Sequence, residues 1–110
     1  MDLNHSFKLI ANKQKFCTKK QKNFESIKNA ELWNGSIEHA DVSLLNRNLL
    51  VIDAMFGAGL SRPLDGIALK LVETINKKKI ECIAIDVPSG VDGDTGRIFN
   101  IAPNCVFTVT

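Results

Sequence analysis

The sequence predicts an α/β fold built on a mostly parallel sheet. Three observations carry that reading. Leu49 to Asp53 is a short apolar run that ends in an acid. Ile80 to Asp86 repeats the arrangement about thirty residues on. Between them Ile67, Ala68, Leu71, Val72 and Ile75 recur at helical spacing. Short apolar runs of this kind read as strands buried on both faces. Strand, helix and strand in that order make a βαβ unit with parallel strands and a right-handed crossover.

The 110 residues suffice for one domain. Hydrophobic residues make up 45% and charged residues 24%, the balance of a globular chain with a modest core. No apolar run approaches the roughly 18 residues that span a bilayer, and the start lacks the layout of a secretory signal. Cys17, Cys82 and Cys105 form neither a CxxC metal pattern nor a disulfide framework, so a reducing, cytoplasmic setting fits. Cys82 lies in a strand run and reads as a small core residue. The net charge of +2 is uneven. Residues 1–30 carry seven Lys against Asp2 and Glu25, net +5; residues 31–110 carry seven Lys or Arg against ten acids, net −3. The lysines have no interleaved aromatic residues and Tyr is absent, which argues for a solvated helix face over nucleic-acid binding.

The elements follow in order. Phe7 to Ala11 alternates weakly, as a short strand does. Thr18 caps a predicted helix over Lys19 to Asn29, with Phe24, Ile27 and the Lys28 stem inward. Leu32 and Trp33 anchor its end, and Asn34-Gly35 is a turn. Ser36 to Asn48 has no clean period. Leu49 to Asp53 is a strand, and Ala54 to Leu64 a glycine-bearing loop. A helix starts at Asp65 or Gly66 and closes on Lys77-Lys78-Lys79, where positive charge suits the C-terminal dipole. Ile80 to Asp86 is the next strand. Pro88 pushes Val87 toward extended geometry, and Ser89-Gly90 turns the chain. Arg97 to Phe99 is a hairpin-like excursion, and Cys105 to Thr110 a β-branched strand.

The candidate chemistry sits at the strand ends, where open α/β sheets bind ligands. If the strands are neighbours, Asp53 and Asp86 open onto one crevice. Two such carboxylates either form an acid/base pair or hold a cation between them. Ser89 and loop carbonyls would complete an oxygen-only set for a hard ion. The plainer reading has one aspartate capping a loop and the other paired with Arg62. Gly57-Ala58-Gly59 fails the dinucleotide fingerprint, because Arg62 stands at the third glycine position. Its bare backbone N–H groups ahead of a helix still suit a phosphate or other anion. Asp92-Gly93-Asp94-Thr95-Gly96 fails the EF-hand pattern and reads as a turn cluster. His5 and His39 have no partners at ligand spacing.

Val51 to Gly66, followed by Ile85 to Gly96, resembles the YjeF N-terminal domain, the NAD(P)H-hydrate epimerase family. Phe107-Thr108-Val109-Thr110 is similar to that family's next strand. The two motifs have the family's order and spacing and cover residues 49–110. The resemblance implies a Rossmann-like three-layer α/β/α sandwich. It implies an isomerase interconverting the R and S epimers of hydrated NADH and NADPH, small-molecule substrates that a dehydratase then repairs. Position by position, it implies potassium ligands at Asp53 and Ser89. The substrate-binding loop falls on Gly57, Ala58, Gly59, Leu60, Ser61, Arg62 and Pro63. Asp86 matches a substrate-contacting aspartate of the family and is the candidate acid/base group. A homodimer is an assembly consistent with it. The family's Asn-Asn-Gly-Gly-Asp loop has no counterpart here. Residues 1–110 are therefore expected to be an incomplete copy of the domain. They would be completed by a separately encoded N-terminal half, or else be an inactive remnant or a protein-binding module of the same fold.

Overall fold

The computed structural model describes residues 9–11 and 37–110. The predicted helix over Lys19 to Asn29, its Thr18 cap, the Leu32–Trp33 anchor, the Asn34-Gly35 turn, His5 and Cys17 lie outside the described residues. The chain divides into two compact units, Met1–Ala40 and Asp41–Thr110. In the first, β1 (Leu9–Ala11) pairs in parallel with β2 (Ile37–His39), Leu9 opposite Ile37.

The second unit holds the predicted βαβ unit. A 3₁₀ turn at Val42–Leu44 is capped by Asp41, whose carboxylate accepts from Ser43 N at 2.8 Å. Then come β3 (Leu50–Asp53), α1 (Gly66–Lys78), β4 (Glu81–Ile85) and β5 (Phe107–Val109). The sheet order is β3-β4-β5 and both pairings are parallel. A small parallel sheet with a crossover helix is the incomplete α/β, Rossmann-like arrangement the sequence predicts.

Helix α1 buries Leu71, Val72 and Ile75, the last three residues of the predicted stripe, while Ile67 and Ala68 are half-buried. It ends where expected, by a left-handed cap on a lysine. Lys79 takes φ 53°, its N–H donates to Asn76 O, and Ile80 N donates to Ile75 O at 3.0 Å. That pair of bonds satisfies carbonyls that a helix end otherwise leaves open. Lys78 Nζ reaches Leu45 O at 2.9 Å, so the basic last turn also grips the 3₁₀ segment.

One expectation needs correction. The strands are not buried on both faces. Along β4, Cys82 and Ala84 are sealed while Glu81 and Ile85 are exposed. Along β3, Asp53 is sealed while Leu50 and Ile52 are exposed. Side chains on a strand alternate between faces, and the register sets Asp53 opposite Ala84 and Val51 opposite Cys82. The core therefore takes the face shared by Cys82, Ala84 and Asp53, together with Leu45, Leu64, Leu71, Val72, Ile75 and Ile80. An apolar run shows that a segment is a strand; it does not show that both faces are covered.

Two asparagine side chains fasten irregular chain to this frame. Asn100 accepts from Leu64 N and donates to Leu64 O, both at 3.0 Å. Asn76, near the end of α1, donates to Ala102 O at 2.9 Å and accepts from Asn104 N at 2.8 Å. These amides stand in for backbone partners that the loops leading into α1 and β5 lack.

Candidate functional site at the strand ends

The carboxyl ends of β3 and β4 are adjacent, as the sequence reading requires, and two loops rise from them. The Asp53 carboxylate turns inward, because alternation puts it on the core face with Ala84. It is 2% exposed. Its Oδ2 accepts from Ser89 N at 2.7 Å, and its Oδ1 accepts from Ser89 Oγ at 2.6 Å and from Met55 N at 3.3 Å. Ser89 is fully buried, and its Oγ in turn accepts from Phe56 N at 3.1 Å. One carboxylate and one hydroxyl thus lock the loop after β3 to the loop after β4.

Asp86 behaves differently. It follows the last residue of β4 with φ 72°, a left-handed conformation uncommon outside glycine. Strand alternation breaks there, and the exposed side chain crosses to the other loop. Its Oδ2 accepts from Ala58 N at 2.7 Å. Gly57 permits this approach: a Cβ there would lie 2.7 Å from the same oxygen. Asp53 and Asp86 are therefore not a face-to-face acid/base pair. The first is a buried acceptor that ties the two loops together and the second an exposed carboxylate on the glycine loop.

Arg62 pairs with neither of them. Its guanidinium donates to Asp65 at 3.0 Å, one turn away at the start of α1, and both side chains remain largely exposed. A cavity of about 330 Å³ opens over this loop, lined from Met55 to Arg62 by Phe56, Gly57, Gly59, Leu60 and Ser61. Seven of the eight predicted positions thus come together: Gly57, Gly59, Leu60, Ser61 and Arg62 line the cavity, and Asp86 holds Ala58 beside them. Pro63 lies outside the lining.

Beyond Gly90 the chain folds back as predicted. Val91 bridges Ile98 in antiparallel fashion, and Phe99 N donates to Gly90 O at 3.0 Å. Asp92 is the turn's organiser. Its carboxylate accepts from Asp94 N at 3.0 Å and Thr95 Oγ1 at 2.8 Å, and these bonds hold it below the usual carboxylate range. Asp94 is exposed and joins the turn through its backbone N–H, so it is the Asp92 carboxylate that shapes the loop. Gly90 itself has φ 95°, and a Cβ there would run into the Ile101 carbonyl and come within 3.3 Å of Leu64 Cδ1. Gly90→Ala is expected to lose about 3 kcal/mol of stability, from left-handed strain plus overpacking. Urea unfolding measures it; a change under 0.5 kcal/mol would show that the loop relaxes freely.

Sequence reasoning missed Asn76 and Asn100. Their partners lie 26 to 36 residues away and leave no local pattern. Among the described residues, no cluster of three or more His, Cys, Asp or Glu side chains forms a metal centre. No helix among them is long and apolar enough to cross a membrane.

A cavity and an exposed acid at the carboxyl ends of parallel strands place the candidate site where open α/β sheets characteristically bind ligands. The chain belongs to the family described as YjeF-related protein N-terminus, whose model matches residues 2–110. Among curated proteins it is 51% identical to the bifunctional NAD(P)H-hydrate repair enzyme of Thermofilum pendens over 61 residues, 56% of this chain and 12% of that protein. It is 37% identical to the NAD(P)H-hydrate epimerase of Limosilactobacillus reuteri over 73 residues, 66% of this chain and 34% of the relative. It is 38% identical to the bifunctional NAD(P)H-hydrate repair enzyme of Moorella thermoacetica over 79 residues, 72% of this chain and 15% of the relative. The matched stretch thus spans about a third or less of these relatives. No solved structure matches the chain.

Proposed function

We propose that this chain carries the strand-end site of an NAD(P)H-hydrate epimerase, an isomerase that interconverts the R and S forms of hydrated NADH and NADPH. The observation that supports it most is the Asp86–Ala58 contact. It puts an exposed carboxylate on the glycine loop beside a cavity. Relatives named for this activity support the same reading. Asp86 is the group that takes and returns a proton at the hydrated carbon, a role suited to a carboxylate at the mouth of a cleft. The Gly57–Pro63 loop would bind the substrate, with its glycine backbone close to the ligand.

Potassium is the proposed metal, with Asp53 and Ser89 as its ligands. The donor set is oxygen only, which suits a hard ion. Asp53 Oδ2 accepts a single bond, and Ser89 Oγ accepts one and donates one, so each keeps a lone pair. No basic side chain among the described residues is paired with the Asp53 charge. When bound, the cation would supply positive charge beside the substrate site.

The test is epimerisation of purified NADPH hydrate, followed by separating the two epimers over time. The chain is assayed alone and mixed with a polypeptide carrying the Asn-Asn-Gly-Gly-Asp loop, in potassium and in a large organic cation. Interconversion above the spontaneous rate, faster in potassium, is expected with the partner present. No acceleration in any mixture would overturn the proposal. A dehydratase is the proposed consumer of the product, in keeping with relatives named bifunctional repair enzymes.

A further inference from the structure

Two cysteines that the site does not use face each other across the sheet. Cys82 in β4 is fully buried, and Cys105, just ahead of β5, is half-buried. Their Sγ atoms are 3.7 Å apart. The backbone holds them there. Val106 N donates to Cys82 O at 2.8 Å, and Asn104 N donates to Asn76 Oδ1 at 2.8 Å. Cys105 is thus fixed on both sides by bonds to β4 and to α1. A disulfide needs a sulfur separation near 2.05 Å, and side-chain rotation is the degree of freedom left to close the gap.

The geometry points to a thiol–disulfide exchange site: Cys82 and Cys105 form an intramolecular disulfide on reaction with a low-molecular-weight disulfide such as oxidised glutathione. Cys105 is the sulfur that solvent reaches first. It loses its proton and attacks one sulfur of the reagent; the reagent's S–S bond breaks, and one thiol leaves carrying a proton. The mixed disulfide on Cys105 lies beside Cys82, which loses its proton and attacks the Cys105 sulfur. The second thiol leaves. Two protein thiols are oxidised and one reagent disulfide is reduced to two thiols. The new bond joins both ends of the segment 83–104, which contains Asp86 and Ser89, so oxidation would restrain the proposed site at its base.

The experiment uses the full chain with Cys17→Ser, which leaves these two thiols. After incubation with oxidised glutathione, intact mass is expected to fall by two hydrogens. Peptide mapping without reductant should link the peptides holding Cys82 and Cys105, and dithiothreitol should reverse both changes. The oxidised form should melt at a higher temperature. Cys82→Ser should stop at a persistent glutathione adduct, and Cys105→Ser should stay unmodified. If either variant fails to fold, the peptide map of the Cys17→Ser chain decides alone. A lasting glutathione adduct on that chain, or two free thiols after exposure, would overturn the proposal.

Discussion

Asp53→Ala is expected to lower stability by about 3–5 kcal/mol, because a buried charged acceptor with three donors is removed and its donors are left unpaired. Ser89 N and Oγ would both be stranded in a sealed site, and Met55 N would lose its acceptor. Domains of this size hold only a few kcal/mol in reserve, so the variant is expected to be largely unfolded at room temperature. Asp53→Asn should fall between. Its amide keeps one oxygen acceptor but presents N–H to a neighbouring N–H. Urea titration followed by circular dichroism orders the three. A wild-type midpoint for Asp53→Ala would show that the carboxylate does not tie the loops together.

Asp86→Asn is expected to cut the epimerisation rate by about 10²–10⁴-fold, the usual worth of a positioned acid/base group. Stability should change by no more than about 1 kcal/mol. Asparagine tolerates the left-handed φ of 72° at this position and keeps an oxygen for the Ala58 N–H. The substitution therefore removes the basic group while leaving the loop contact in place. Asp86→Ala would remove both, so comparing the two separates chemistry from loop positioning. If Asp86→Asn turns over at the wild-type rate in a mixture where the wild-type chain is active, Asp86 is not the acid/base group.

The frame of the second unit was legible in the sequence because it is written locally. The stripe Leu71, Val72 and Ile75 and the lysines that close α1 are consecutive signals, and the structure places the helix there. The runs ending at Asp53 and Asp86 gave the strands and their parallel order. What each aspartate does was not legible. Both end an apolar run, yet Asp53 is taken inward by alternation while Asp86 leaves the strand geometry and stays outside. That difference depends on which face the core occupies, and the core face is set by the register between β3 and β4. Arg62 found Asp65, its near neighbour, before either distant acid. The resemblance carried the loop assignments further than spacing could.

The bond from Ser89 to Asp53 joins residues 36 apart in the chain. Neither partner can be in place until β3 and β4 have aligned, and the Ile52–Ile83 pairing itself spans 31 residues. Parallel pairing of this kind asks the chain to surrender loop entropy before contacts reward it. The carboxylate is therefore satisfied only in chains that have already found their register, and a one-residue slip would turn it out to solvent. The acid that the functional reading assigns to a cation thus also proofreads the sheet, so any selection on one role acts on the other.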